Sequence, residues 1–185
     1  MPSTHHNSPV RPLRRLAAAT LWLASGCGVA VPGDLLIEPE AFALDPDLDP
    51  FPDHREAHHD CSASGVYEEL GGVEIDTGRC DYAVLRWDLL KDVPPGTPVE
   101  LFLRHQTLSA PEPASAHVAL RIGDDVAFDF EVDLPAAPAA LRPLRVTRQR
   151  ARAGDPVVLH LHNHGANTWN LLRLIVADLD GSGPR

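Results

Sequence analysis

Hydrophobic and polar residues alternate along most of the second two-thirds of the chain. Val126, Phe128, Phe130 and Val132 are interleaved with Asp125, Ala127, Asp129 and Glu131. Val99, Leu101 and Leu103 alternate with Glu100, Phe102 and Arg104, and Val157, Leu159 and Leu161 alternate with Val158, His160 and His162. A period of two marks strands with one face in a core and the other in water. Shorter runs of the same kind occur at Val66–Leu70, Val73–Asp76, Tyr82–Leu89, His117–Ile122, Leu144–Arg148 and Asn170–Ala177. Pro94-Pro95-Gly96, Gly123-Asp124 and Gly154-Asp155-Pro156 punctuate them as turns. Eight or nine short strands without a long amphipathic helix predict an all-β, antiparallel β-sandwich over residues 61–180. The last residues, 181–185, form a tail.

The pattern upstream is different. Residues 1–26 contain Arg11, Arg14 and Arg15 and no acid, then the apolar run Leu16–Ala24, then small residues leading to Cys27. A basic region, a short apolar core and a small-residue site form a secretory signal, and nine mostly apolar residues fall far short of the roughly 20 that span a bilayer as a helix. Leu23-Ala24-Ser25-Gly26-Cys27 resembles the lipobox of bacterial lipoproteins. That resemblance implies that Cys27 becomes the lipidated first residue of the mature protein, and that Gly28 after it, rather than Asp, directs the protein to the outer membrane of the cell envelope. Residues 27–60 then read as an acidic, proline-rich tether. Its span 28–60 holds nine acids against the single base Arg55, with five prolines, and Leu35–Ile37 or Ala41–Leu44 are the parts able to dock as an edge strand.

Charge and cysteine content follow from this division. The 185 residues carry 16 basic and 26 acidic side chains, a formal net charge of −10. Loss of residues 1–26 removes three basic residues and no acids, which takes the balance to −13. Neither value suits nucleic acid, whose phosphates require a basic surface. With Cys27 committed to lipid, Cys61 and Cys80 remain as a pair in an oxidising compartment. No C-x-x-C spacing points to redox or metal use, so a disulfide is expected, and closing 18 intervening residues contributes about 3 kcal/mol.

Two constellations could carry function. In His160-Leu-His-Asn-His164, the strand period sends His160, His162 and His164 to one face, where imidazoles could hold zinc, copper or nickel, particularly with His54, His58, His59 or Asp60 nearby. Alternate strand residues lie about 6.6 Å apart, too wide for all three to share an ion without a bulge. The segment Val157–Val176, with its Asn-x-x-x-Asn-x-Trp connection, resembles the terminal hairpin of galactose-binding-type jelly rolls, which include many carbohydrate-binding modules. That resemblance implies a glycan or an envelope protein as ligand, with Asn163, Asn167, Trp169 and Asn170 as contacts.

Other motifs fail on particular residues. Gly154-x5-His160-x-His162 resembles the opening of the first cupin motif, but Ala166 and Asn167 stand where that motif continues with Glu. Asp45, Asp47, Asp49, Asp53 and Glu56 have the spacing of an EF-hand loop, yet Pro50 takes the position that must turn as glycine. The chain contains no G-x-S-x-G, H-E-x-x-H, Walker or dinucleotide motif. The sequence therefore predicts a non-catalytic, lipid-anchored envelope protein. Its ligand is a glycan or envelope protein in one reading and a divalent metal in the other; a purely structural role needs neither.

Overall fold

A computed structural model describes residues 34–54, 61, 64–69 and 71–178, all within one compact unit spanning Pro32–Arg185. The signal segment, Cys27, residues 55–60 and the tail 181–185 lie outside the described residues.

Each long alternating run is a strand. The described residues form β1 (Asp34–Leu35), β2 (Ala43–Leu44), β3 (Val66–Glu69), β4 (Gly72–Asp76), β5 (Tyr82–Asp88) and β6 (Pro98–His105). They continue with β7 (Ala114–Ile122), β8 (Asp125–Leu134), β9 (Ala139–Leu141), β10 (Leu144–Val146), β11 (Pro156–Asn163) and β12 (Thr168–Val176). All pairs are antiparallel. One sheet runs β10-β6-β12-β4-β3, with β1 added to β12 and β9 to β6; the other runs β2-β5-β11-β7-β8. Among the described residues the helical elements are two single 3-10 turns, Pro46–Leu48 and Pro52–His54, and no helix is long and apolar enough to cross a membrane.

The alternation explains how the two sheets meet. On β6, Val99, Leu101 and Leu103 are buried while Glu100, Phe102 and Arg104 are half-exposed. The inward faces of both sheets interdigitate as one core that includes Leu85, Trp87, Leu101, Leu120, Phe128, Leu159, Trp169 and Leu174. β11 is the central strand of its sheet, paired to β5 and β7 along its length. It is buried on both faces, which only a covering layer on the outer side can produce.

That layer comes from the segment expected to be a tether. The sandwich begins at residue 34 rather than at 61. Leu36 and Ile37 are fully buried in the main core, the Leu36 amide donates to the Leu174 carbonyl at 2.9 Å, and the Trp87 indole donates to the Pro39 carbonyl at 3.0 Å. β2 then extends the five-stranded sheet beside β5, and residues 45–54 cross its outer face. Local composition made this stretch look like a solvated stalk; its few apolar residues fit places that distant strands leave open. Cys61 and Cys80 form a disulfide, fastening the chain at the far side of the crossing.

Candidate metal centre

The crossing segment, here called the strap, is Asp45-Pro-Asp-Leu-Asp-Pro-Phe-Pro-Asp-His54. Pro46 and Pro52 each open a 3-10 turn, where a fixed φ suits the first position and no amide is needed. Leu48 packs on a small outer cluster of Tyr82, Val84 and Val158, and its carbonyl accepts from the Arg121 guanidinium at 3.1 Å. Asp49 turns the chain: its Oδ1 accepts from the Phe51 amide at 2.9 Å.

The same Oδ1 accepts from Nδ1 of His160, also at 2.9 Å, and both side chains are sealed from solvent, His160 at 0% and Asp49 at 1% exposure. A carboxylate acceptor fixes the proton on Nδ1, so Nε2 of His160 carries the free lone pair. That nitrogen is buried and has no hydrogen-bond partner. Orphaned buried nitrogens are costly, on the order of 1–3 kcal/mol, and call for an explanation.

The explanation lies in what surrounds it. One nitrogen from each of His54, His117 and His160 lies within 4.8 Å of the others. His117, on β7, directs Nε2 to Asp129 Oδ1 at 2.8 Å, leaving Nδ1 to face Nδ1 of His54 at 3.2 Å. Two imidazole nitrogens at this separation match the edge of a tetrahedron around an ion with bonds of 2.0–2.1 Å, about 3.4 Å. Two of the three rings have their second nitrogen held by a carboxylate, the arrangement that orients metal-bound histidines and raises their basicity. Phe51 closes the apolar side, its ring 4.8 Å from His117 and 5.4 Å from both His54 and His160.

His54 and His117 also line an open cleft of about 540 Å3, with Asp53, Glu131, His162 and His164 along its walls. His160 of the predicted trio therefore joins the donor group, while His162 and His164 stand beside it, their rings 4.4 Å apart. His162 shares the outward face but sits opposite His117 across the β11–β7 ladder, two pairs beyond His160, and His164 is past the end of β11. His117 was missed because its strand carried no apparent chemistry. The signal was nonetheless present: Val118, Leu120 and Ile122 set the inward face, which puts His117 outward.

The four residues expected to contact a ligand do something else, and that expectation is corrected. Asn163, Asn167, Trp169 and Asn170 are all buried, at 0%, 5%, 1% and 2% exposure. Asn163 donates to the Thr77 hydroxyl at 3.0 Å, which in turn donates to the Gly165 carbonyl at 2.8 Å. Asn167 accepts from the Ser109 amide at 2.6 Å and returns a bond to the Ser109 carbonyl. Gly165, at φ +116°, passes so close to that carbonyl that a Cβ would overlap it. Trp169 fills the core, with His105 against its ring at 4.9 Å. The 163–170 connection is a clamped loop that closes one end of the sandwich.

The outer face of the seven-stranded sheet is different. Register aligns Tyr67, Glu74, Asn170 and Arg104 in a row across β3, β4, β12 and β6. Tyr67 donates to Glu74 Oε1, and Asn170 donates to Glu74 Oε2 at 2.9 Å. Beside this row Phe102 lies under the guanidinium groups of Arg173 and Arg142, at 4.9 and 5.5 Å from the ring centre.

No protein-family model matches the chain, and no curated protein matches it in sequence. Among solved structures it is similar to one described as "CBM4 structure and function", at 10% identity over 62% of this chain and 76% of that one, TM-score 0.36. It is also similar to "Family 16 Carbohydrate Binding Module-2", at 13% identity over 62% and 82%, TM-score 0.36. A third, "Crystal structure of Agl-KA catalytic domain", aligns at 8% identity over 84% of this chain but 29% of that one, TM-score 0.42. These are likenesses of architecture, and none bears on an individual residue.

Proposed function

We infer that this protein is an exported, lipid-anchored β-sandwich module that binds a divalent transition-metal ion through His54, His117 and His160. The observation that carries this reading is the placement of His160: Asp49 holds its Nδ1, its buried Nε2 has no partner, and one of its ring nitrogens lies within 4.8 Å of nitrogens of His54 and His117. Neutral imidazoles suit zinc, copper(II) and nickel, and among the described residues the only cysteines are disulfide-bonded, so no thiolate is at hand to favour copper(I). Anchoring rests on the lipobox at Cys27, which would place the module in the outer-membrane envelope.

Calorimetric titration of the oxidised protein with zinc chloride tests the site. One ion per chain should bind. His54→Ala, which alters an exposed ligand and leaves the core intact, should weaken binding by about 100-fold, at least the loss that disturbing a ligand's outer partner produces. Binding unaffected by His54→Ala and His117→Ala but abolished by His164→Ala would overturn the assignment. Anchoring has a separate test: Cys27→Ser should move the protein from the membrane to the soluble fraction, and continued membrane association would contradict it.

A glycan reading is favoured by one observation, the exposed Tyr67 with Glu74 and Arg104 in its row and Phe102 beside it, the buried Asn170 only holding the Glu74 carboxylate in place. It combines a half-exposed aromatic ring with hydrogen-bonding groups, the two elements sugar recognition uses. Glycan-array binding that disappears in Tyr67→Ala would support it.

A further inference from the structure

We propose that the metal centre is the latch of its own strap: occupation of the histidine site and docking of residues 45–54 on the five-stranded sheet form one coupled equilibrium. This rests on the metal reading above and adds a regulation to it.

The donors are divided between two bodies. His117 and His160 belong to β7 and β11, which are adjacent, continuously paired strands of the sheet. His54 belongs to the strap, and so does Asp49, the carboxylate that fixes the His160 ring. With the strap lifted, the sheet keeps two of three donors, and His160 loses the group that sets its tautomer. A metal ion therefore binds the docked state strongly and the lifted state weakly. By linkage, an ion with that preference holds the strap down, and whatever holds the strap down raises affinity for the ion by the same factor.

The strap's own attachments suit this role. Its apolar anchors are Leu48 and Phe51, both only half-buried, and its backbone reaches the sheet through the Asp45 amide on the Val84 carbonyl at 3.0 Å and the Leu48 carbonyl on Arg121. Three of its ten residues are proline, which limits the conformations available when it lifts. Both ends are tied, upstream by β2 against β5 and downstream by the Cys61–Cys80 disulfide. The segment can open as a loop without leaving the domain. Its lifting would uncover His160 and Tyr82, which are otherwise buried.

Hydrogen–deuterium exchange on the oxidised full chain, with and without saturating zinc chloride, reads the coupling directly. Zinc should slow exchange at the strap amides, including Leu48, Asp49, Phe51 and His54, by at least tenfold, while β7 and β11 amides change little. Asp49→Asn tests positioning: it should weaken zinc binding by about tenfold and reduce strap protection even when the site is filled. One zinc bound per chain with strap exchange unchanged overturns the latch and leaves the site standing. Equal slowing across both sheets also overturns it, since that is general stabilisation. Absence of zinc binding overturns both proposals together.

Discussion

Trp169 and its neighbours show how one polar or aromatic side chain acquires its role from what encloses it. Trp169 is buried among the inward faces of both sheets, so Trp169→Ala should destabilise the protein by about 3–5 kcal/mol in urea unfolding. A stable variant that merely lost a ligand would contradict that placement. Tyr67 offers a finer probe. The hydrogen bond to Glu74, then partial burial, then the surrounding carboxylates push its hydroxyl up to about 12. Glu74 itself is raised by burial, but hydrogen bonds from Glu69, Tyr67 and Asn170 outweigh this and leave it low, while sharing a proton with Glu74 pushes Glu69 up. In ring-labelled tyrosine NMR, Glu74→Gln should bring the Tyr67 midpoint down toward the ordinary value near 10. An unchanged midpoint would mean that the Tyr67–Glu74 bond is absent in solution. Sequence alternation found the outward direction of His160 and the inward direction of Leu159 because both are local properties. It could not assign Asn163 or Asn167, because their partners Thr77 and Ser109 lie 58 to 90 residues away along the chain, nor Trp169, because strands of both sheets enclose it.

Among elements, the consequential one is residues 34–54. Strands from β3 onward, apart from the three-residue β9, were legible because a half-buried strand writes its period into its own residues. β1 and β2 have two residues each and cannot display a period. Their acidic, proline-rich surroundings describe a stalk, whereas Leu36 and Ile37 fill the main core and Leu48 seals the outer one. Ile37→Ala should therefore cost about 2–5 kcal/mol of unfolding free energy, a loss that no substitution in a solvated tether could produce. The same element supplies Asp49 and His54, so the half of the metal centre that periodicity could not reveal is the half carried by a segment without periodicity. His117 was recoverable from the alternation of β7, but only the approach of His54 and His160 gave its position meaning.

At the scale of the whole molecule, a strongly acidic chain with few aromatic residues folds as two antiparallel sheets, closed at one end by the clamped 163–170 loop and covered on one outer face by the strap. The disulfide joins Cys61 to the far end of the β4–β5 connection and so limits how far the strap's downstream end can travel. Export and anchoring through Cys27 would place this site outside the cytoplasm, where a histidine centre with an open cleft meets ions from the surroundings directly. Imidazole nitrogens report on a three-histidine metal site atom by atom. Long-range proton–nitrogen NMR during a zinc titration should show Nε2 of His160 and Nδ1 of His54 and His117 shifting together, saturating at one ion per chain, with His105 unmoved. Shifts confined to His162 and His164, or none at stoichiometric zinc, would rule out a site at His54, His117 and His160.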